Sequence, residues 1–148
     1  MFGVYVLFNY PNEDIFKKVF DMLINHKQID FIEIGYPFND PVADGPVIAE
    51  KVNEVYREVS MDALLTFLKK TRCAKKLYIM SYANIFLNYG LERFSDSFSN
   101  YLNGVIIADL PNRMHSFFTK RGFSMPIIPF VTPLSRENDV KQITDNKS

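Results

Sequence analysis

Two carboxylates stand out by their surroundings. Glu33 lies inside the short apolar run Phe31-Ile32-Glu33-Ile34. Asp44 lies in the turn-rich stretch that follows, among Pro37, Asn39, Asp40, Pro41, Gly45 and Pro46. A short apolar run bounded by turn signals reads as a buried strand of a parallel sheet. A carboxylate near the C-terminal end of such a strand, with a second in the next loop, sits where parallel α/β proteins keep their chemistry. Apolar surroundings disfavour the ionised form of Glu33 and raise its pKa, and a carboxyl tuned that way can both give and take a proton. The bland alternative is a buried glutamate paired with a lysine of a neighbouring strand. Asp44 has its own alternative, because a residue before Gly45-Pro46 can cap the helix that Pro46 opens.

These groups must be positioned by a chain of 148 residues, enough for one domain with a sizeable core. The net charge is zero and the pI is near 6.7, so nothing points to nucleic acid or an anionic membrane. The longest apolar runs fall far short of the roughly 18 residues a membrane span needs. The first residues, MFGVYVLFNYP, lack the basic region of a signal peptide and read as a strand. One cysteine, Cys73, rules out an internal disulfide and fits a reducing cytosol; it has no partner or base nearby in sequence and receives no role. His26 and His115 lie in helical stretches without metal-ligand spacing, so no metal is expected.

The order of elements reads as alternating strands and helices. Strand one spans Gly3 to Asn9, ended by Pro11. Asn12 can cap a helix to about His26, with Ile15, Val19, Phe20, Leu23 and Ile24 on one face. Strand two is Phe31 to Gly35. Helices follow from Pro46 to about Arg57 and, capped by Ser60, through Lys70. Strand three is Leu77 to Tyr82, with a loop from Asn84 to Gly90 and a helix from Leu91 to Leu102. Strand four is Gly104 to Ala108; Asn112 can cap a helix to about Arg121, stopped by Gly122. Strand five is Met125 to Val131, and a polar helix starts at Ser135. Five strands alternating with helices predict parallel βαβ units with right-handed crossovers.

The run Glu33-Ile34-Gly35-Tyr36-Pro37-Phe38-Asn39-Asp40-Pro41-Val42-Ala43-Asp44-Gly45-Pro46 closely resembles the signature of the tryptophan synthase alpha chain family. Ser81-Tyr82-Ala83-Asn84, Asn88 to Phe94, Gly104 to Pro111 and Pro126 to Pro133 are similar to the family's third to fifth units, so the resemblance spans the whole sequence. It implies an α/β fold of the (β/α)8 TIM-barrel family, here an incomplete barrel of about five parallel strands with flanking helices in a single domain, since a full barrel takes about 250 residues. The absent parts are expected to include the family's phosphate-binding glycines and its mobile loop; no Gly-rich phosphate cradle occurs in this sequence. The sequence reads either as a fragment or as a shortened relative, and unpaired sheet edges invite self-association.

The resemblance implies retro-aldol cleavage of indole-3-glycerol phosphate to indole and glyceraldehyde 3-phosphate. Glu33 then matches the catalytic glutamate, and Asp44 the aspartate that binds the indole N–H. Tyr5, Met80, Tyr82, Ile106 and Phe130 match pocket-lining positions, though each residue type is more often plain core. Phe38, Asp40, Asn84, Asn88, Asp109 and Pro111 match positions facing the beta chain, the partner expected to hold pyridoxal phosphate; no cofactor is expected in this chain. The family has a small hydroxyl residue and a glycine where this sequence has Leu7 and Asn9, with Tyr10 before Pro11, which alters the pocket mouth. The competing readings are a non-catalytic module that docks on a beta chain and modulates it, and a different phosphate-handling barrel enzyme.

Overall fold

The computed structural model describes residues 1–133 together with 135, 137, 140, 141 and 143. The helix expected from Ser135 onward falls largely outside the described residues. Four strands, β1 (Gly3–Leu7), β2 (Phe31–Gly35), β3 (Lys76–Ser81) and β4 (Gly104–Ile107), form one parallel sheet in sequence order. Helices α1 (Glu13–Asn25), α2 (Pro46–Val55), α3 (Met61–Lys70), α4 (Ala83–Tyr89), α5 (Leu91–Phe98) and α6 (His115–Thr119) connect and cover them. A short 3-10 turn at Asn112–Met114 leads into α6.

Several boundaries follow from local chemistry. The Asn12 side chain accepts the Ile15 N–H at 3.0 Å and opens α1. The Ser60 hydroxyl accepts the Ala63 N–H at 3.1 Å and opens α3. Each satisfies one of the donors that a helix start leaves unpaired. The turn after β1 puts Asn9 at φ 59°, a left-handed conformation that Asn adopts more readily than most residues. This accounts for Asn9 at a position where glycine was the expected residue.

Three expectations need correction. Residues Ala83–Tyr89, read as a loop, form helix α4. Gly90 at φ 96° ends α4 and starts α5, a hinge that glycine supplies without a Cβ penalty. Strand five is reduced to a single bridge between Val105 and Ile127. Val105 donates to the Pro126 carbonyl and Ile128 donates to the Val105 carbonyl, each at 2.8 Å. The ladder goes no further because Pro126 has no N–H to give, and the Ile107 carbonyl already accepts from Leu110 in the turn after β4. Asn112 does not cap a helix; its side-chain amide donates to the Phe130 carbonyl at 3.3 Å.

Strand alternation divides the sheet into two unlike faces. Ile32, Ile34, Ile79, Val105 and Ile107 pack against the helices with Phe16, Phe20, Leu64, Leu68, Phe86, Phe94, Phe98 and Phe118. Rings of Phe94 and Phe98 stack at 4.4 Å, and Phe86 meets Phe94 edge-on at 5.0 Å. The high phenylalanine share is spent here, at about 1.5–3 kcal/mol per buried side chain. The opposite face carries three registered rows, Gly3-Phe31-Lys76, Tyr5-Glu33-Tyr78-Gly104 and Leu7-Gly35-Met80-Ile106.

Candidate functional site

Glu33 is on that opposite face, beside Tyr5 on β1 and Tyr78 on β3. Among the described residues no lysine or other cation pairs with it, so the ion-pair alternative fails. Partial burial raises the pKa of its carboxyl above the ordinary glutamate value. Gly35, two residues on, makes room for Tyr5: a Cβ there would stand 2.0 Å from the Tyr5 hydroxyl. The Tyr5 phenol is pushed up by burial first, then by the negative charges of Asp44 and Glu33. Tyr5 links the two regions: it is registered beside Glu33 on the sheet and lines the cleft that contains Asp44, while Glu33 itself is not among the residues lining that cleft.

Asp44 is not the cap of α2. Gly45 occupies that position without a side-chain hydrogen bond. The Tyr82 hydroxyl instead donates to Asp44 Oδ2 at 2.7 Å and accepts the Ala43 N–H at 2.9 Å. Tyr82 is buried at the end of β3, and burial together with the Asp44 bond pushes its pKa up to about 12. The phenol stays a neutral donor, and charge-assisted bonds of this kind are the strong ones. The Phe38 ring lies 5.0 Å from that of Tyr82. Phe38, expected to face a partner, thus turns inward and lines the cleft.

The cleft is bounded by Tyr5, Tyr36, Phe38, Asp44, Val52, Met80, Ser81 and Tyr82, and holds about 10 Å³, room for about one water. Tyr36, Val52 and Ser81 were not singled out from the sequence. Tyr36 had a signal, lying inside the signature between Gly35 and Pro37; Val52 and Ser81 look like ordinary core residues. Ser81 Oγ donates to the Tyr36 carbonyl at 3.0 Å and ties the two strand ends together. Ile106 is registered beside Met80 on the same face. Phe130 is elsewhere. It lines a separate depression of about 280 Å³ with Asp109, Pro111, Asn112 and Arg113.

The remaining positions lie on the surface at the same end of the sheet. Asp40 is exposed in the loop after β2, and Asn84 and Asn88 are exposed one turn apart on α4. One oxygen of Asp109 is already used, accepting the Ala83 N–H at 2.7 Å where α4 begins. His26 ends α1, and its carbonyl accepts from Lys75 Nζ at 2.8 Å. His115 starts α6 half-buried; burial lowers its pKa. Among the described residues no group of three or more His, Cys, Asp or Glu is placed to hold a metal ion. No helix among them is long and apolar enough to cross a membrane.

A parallel βα sheet whose strands pair in sequence order, with Asp44 and Tyr82 bonded at its C-terminal end, belongs to the barrel class of α/β proteins. The comparisons give the family. The family model described as tryptophan synthase alpha chain matches residues 1–148. The tryptophan synthase alpha chain of Thermotoga petrophila is 34% identical over 146 residues, covering 96% of this chain and 59% of that one. That of Lactococcus lactis subsp. cremoris is 36% identical over 116 residues, covering 74% and 46%. Tryptophan synthase subunit alpha from Campylobacter jejuni superposes with a TM-score of 0.81 at 25% identity, covering 95% of this chain and 58% of that one. The chain belongs to the tryptophan synthase alpha chain family and spans about three-fifths of the length of the Thermotoga relative.

Proposed function

We propose that this chain carries the proton-transfer groups for retro-aldol cleavage of indole-3-glycerol phosphate to indole and glyceraldehyde 3-phosphate. The observation that carries the reading is geometric: Tyr5, which lines the cleft with Asp44, is registered beside Glu33 on the same face of the sheet. Glu33 has a raised pKa and, among the described residues, no ion-pair partner, while Asp44 is fixed by Tyr82. Glu33 in its acid form gives a proton to ring carbon C3. Asp44 accepts a hydrogen bond from the ring N–H and offsets the positive charge that develops. Glu33, now a carboxylate, takes the proton of the hydroxyl on the carbon attached to C3. That C–C bond breaks, its electrons return to the ring, and the aldehyde leaves with Glu33 again protonated. Only protons and one C–C bond change hands, so carboxyl chemistry suffices for the step.

Tyr5, Met80, Tyr82 and Ile106 are proposed to face the indole, with Phe38. The present cleft is too small for a bicyclic ring, so binding requires movement of the 37–45 segment or of Tyr5. Phe130 is proposed to bound the neighbouring depression. A beta chain holding pyridoxal phosphate is the proposed partner, meeting Asp40, Asn84, Asn88, Asp109 and Pro111, and the proposed compartment is the cytoplasm. The test is indole release from indole-3-glycerol phosphate, with and without a beta chain. Wild type releases indole and Glu33→Gln is slower by about 10²–10⁴-fold. No release by wild type under either condition overturns the reading.

A further inference from the structure

Leu7 stands where the resemblance led us to expect a small hydroxyl residue, and it does not line the cleft. It is buried with Val52 and Val55 in an apolar cluster separate from the main core, with Tyr10, Ile48 and Tyr56 packed around it. Its neighbours Val4 and Val6 pack against the main core, so strand alternation puts Leu7 on the same face as Glu33. Helix α2 therefore rests on the chemical face of the sheet, at the end of β1.

Besides this cluster, that helix has Pro46 at its first position and Lys51 bonded to Glu50 and Glu54 on its surface. Its ten residues are fewer than an isolated helix needs. It has no side-chain cap, no acid in its first turn and no base in its last. Val52 and Val55 are its only buried residues among those described, and both belong to the Leu7 cluster. Val47, by contrast, is 68% exposed. Val52 also bounds the cleft beside Asp44 and Tyr82, and Asp44 is separated from α2 only by Gly45.

We infer that Leu7 is a positioning residue: with Val52 and Val55 it forms an apolar latch that seats α2 and so holds Asp44 against Tyr82. The inference rests on the proposed role of Asp44 for its catalytic meaning, but the latch itself is independent of activity. The contact supplies apolar burial to a helix whose start has no capping side chain. It also explains why a large aliphatic residue is tolerated at the mouth of a cleft: it points under the helix and leaves the cleft walls to Tyr5 and Met80.

The test is amide hydrogen exchange measured by NMR on Leu7→Ala and on Val55→Ala, which approaches the latch from the helix side. The reporter is the Ala43 N–H, bonded to Tyr82 Oη at 2.9 Å; the control is the Tyr36 N–H, bonded to the Met80 carbonyl at 2.8 Å. Ala43 protection is expected to fall about tenfold or more in both variants, with Tyr36 nearly unchanged. Leu7→Met, which keeps the apolar volume, is expected to retain most of the protection. Ala43 protection that stays at the wild-type level, or falls only in step with Tyr36, overturns the latch. In indole release the latch predicts a raised KM with a smaller change in kcat for Leu7→Ala. A wild type that releases no indole removes the proposed function and leaves the exchange result to decide the latch.

Discussion

Ile34 and Glu33 are neighbours in sequence and opposites in structure. Ile34 is fully buried under the helices; Glu33 sits on the other face beside Tyr5. The helix-covered face is a closed packing of phenylalanines and branched aliphatics. The other face carries phenols, a glutamate, a methionine and three glycines, and part of it stays open. The difference shows how one strand can serve two environments, one parity facing the core and the other the open face. Residues of one parity pack the core, and residues of the other include the groups for which chemistry is proposed. Only Leu7, on the chemical face but buried under α2, mixes the two roles.

Substitutions can break this division if it is wrong. The largest expected effect is Phe94→Ala: Phe94 is fully buried and contacts Phe86, Phe98 and Phe123, so unfolding in urea should show a loss of about 3–5 kcal/mol. Ile34→Ala should cost about 2–5 kcal/mol in the same measurement, while indole release per folded molecule stays close to wild type. Tyr82→Phe sits on the boundary between the faces. It removes the donor to Asp44 and the acceptor for Ala43, costing about 1.5–3 kcal/mol and lowering activity by more than stability loss explains. The smallest structural effect belongs to Met80→Leu, a volume-conserving exchange that should cost less than about 1.5 kcal/mol and be read mainly in KM.

A pH profile sharpens the comparison further. The proposed cycle starts from protonated Glu33, so kcat should fall as pH rises through the raised Glu33 pKa. Substitutions on the helix-covered face should leave that limb of the profile where it is.

Legibility in the sequence followed the range of the physics. Asn12 and Ser60 were readable as caps because capping is decided within four residues. Strand β2 was readable because Phe31-Ile32-Glu33-Ile34 ends at Gly35 and a run of turn residues. Helix α4 was not, because Tyr82 carries no cap of its own and Asp109, distant in sequence, accepts the Ala83 N–H. The fifth strand failed for a comparable reason: the Ile107 carbonyl is taken by a turn that apolar content does not reveal. At the site, a carboxylate inside an apolar run with a second acid in the next loop pointed to Glu33 and Asp44. The bond between Tyr82 and Asp44, which the cap reading does not foresee, joins residues far apart in the chain. The inward turn of Phe38 and the separation of Phe130 from the cleft are tertiary in the same sense.

The claim at the centre of this account is that Glu33 serves chemistry at a cost to stability. A glutamate whose pKa is raised in the folded state contributes stability at low pH and loses it as pH rises through that folded value. The most direct measurement is urea unfolding of wild type and Glu33→Gln at pH 7 and at about pH 4, near the ordinary glutamate pKa. The account predicts that the variant is more stable at pH 7, by less than about 1 kcal/mol because water screens a half-buried group, and that the gain shrinks toward pH 4. A variant less stable than wild type at pH 7 would contradict it, since the carboxylate would then be holding the fold together.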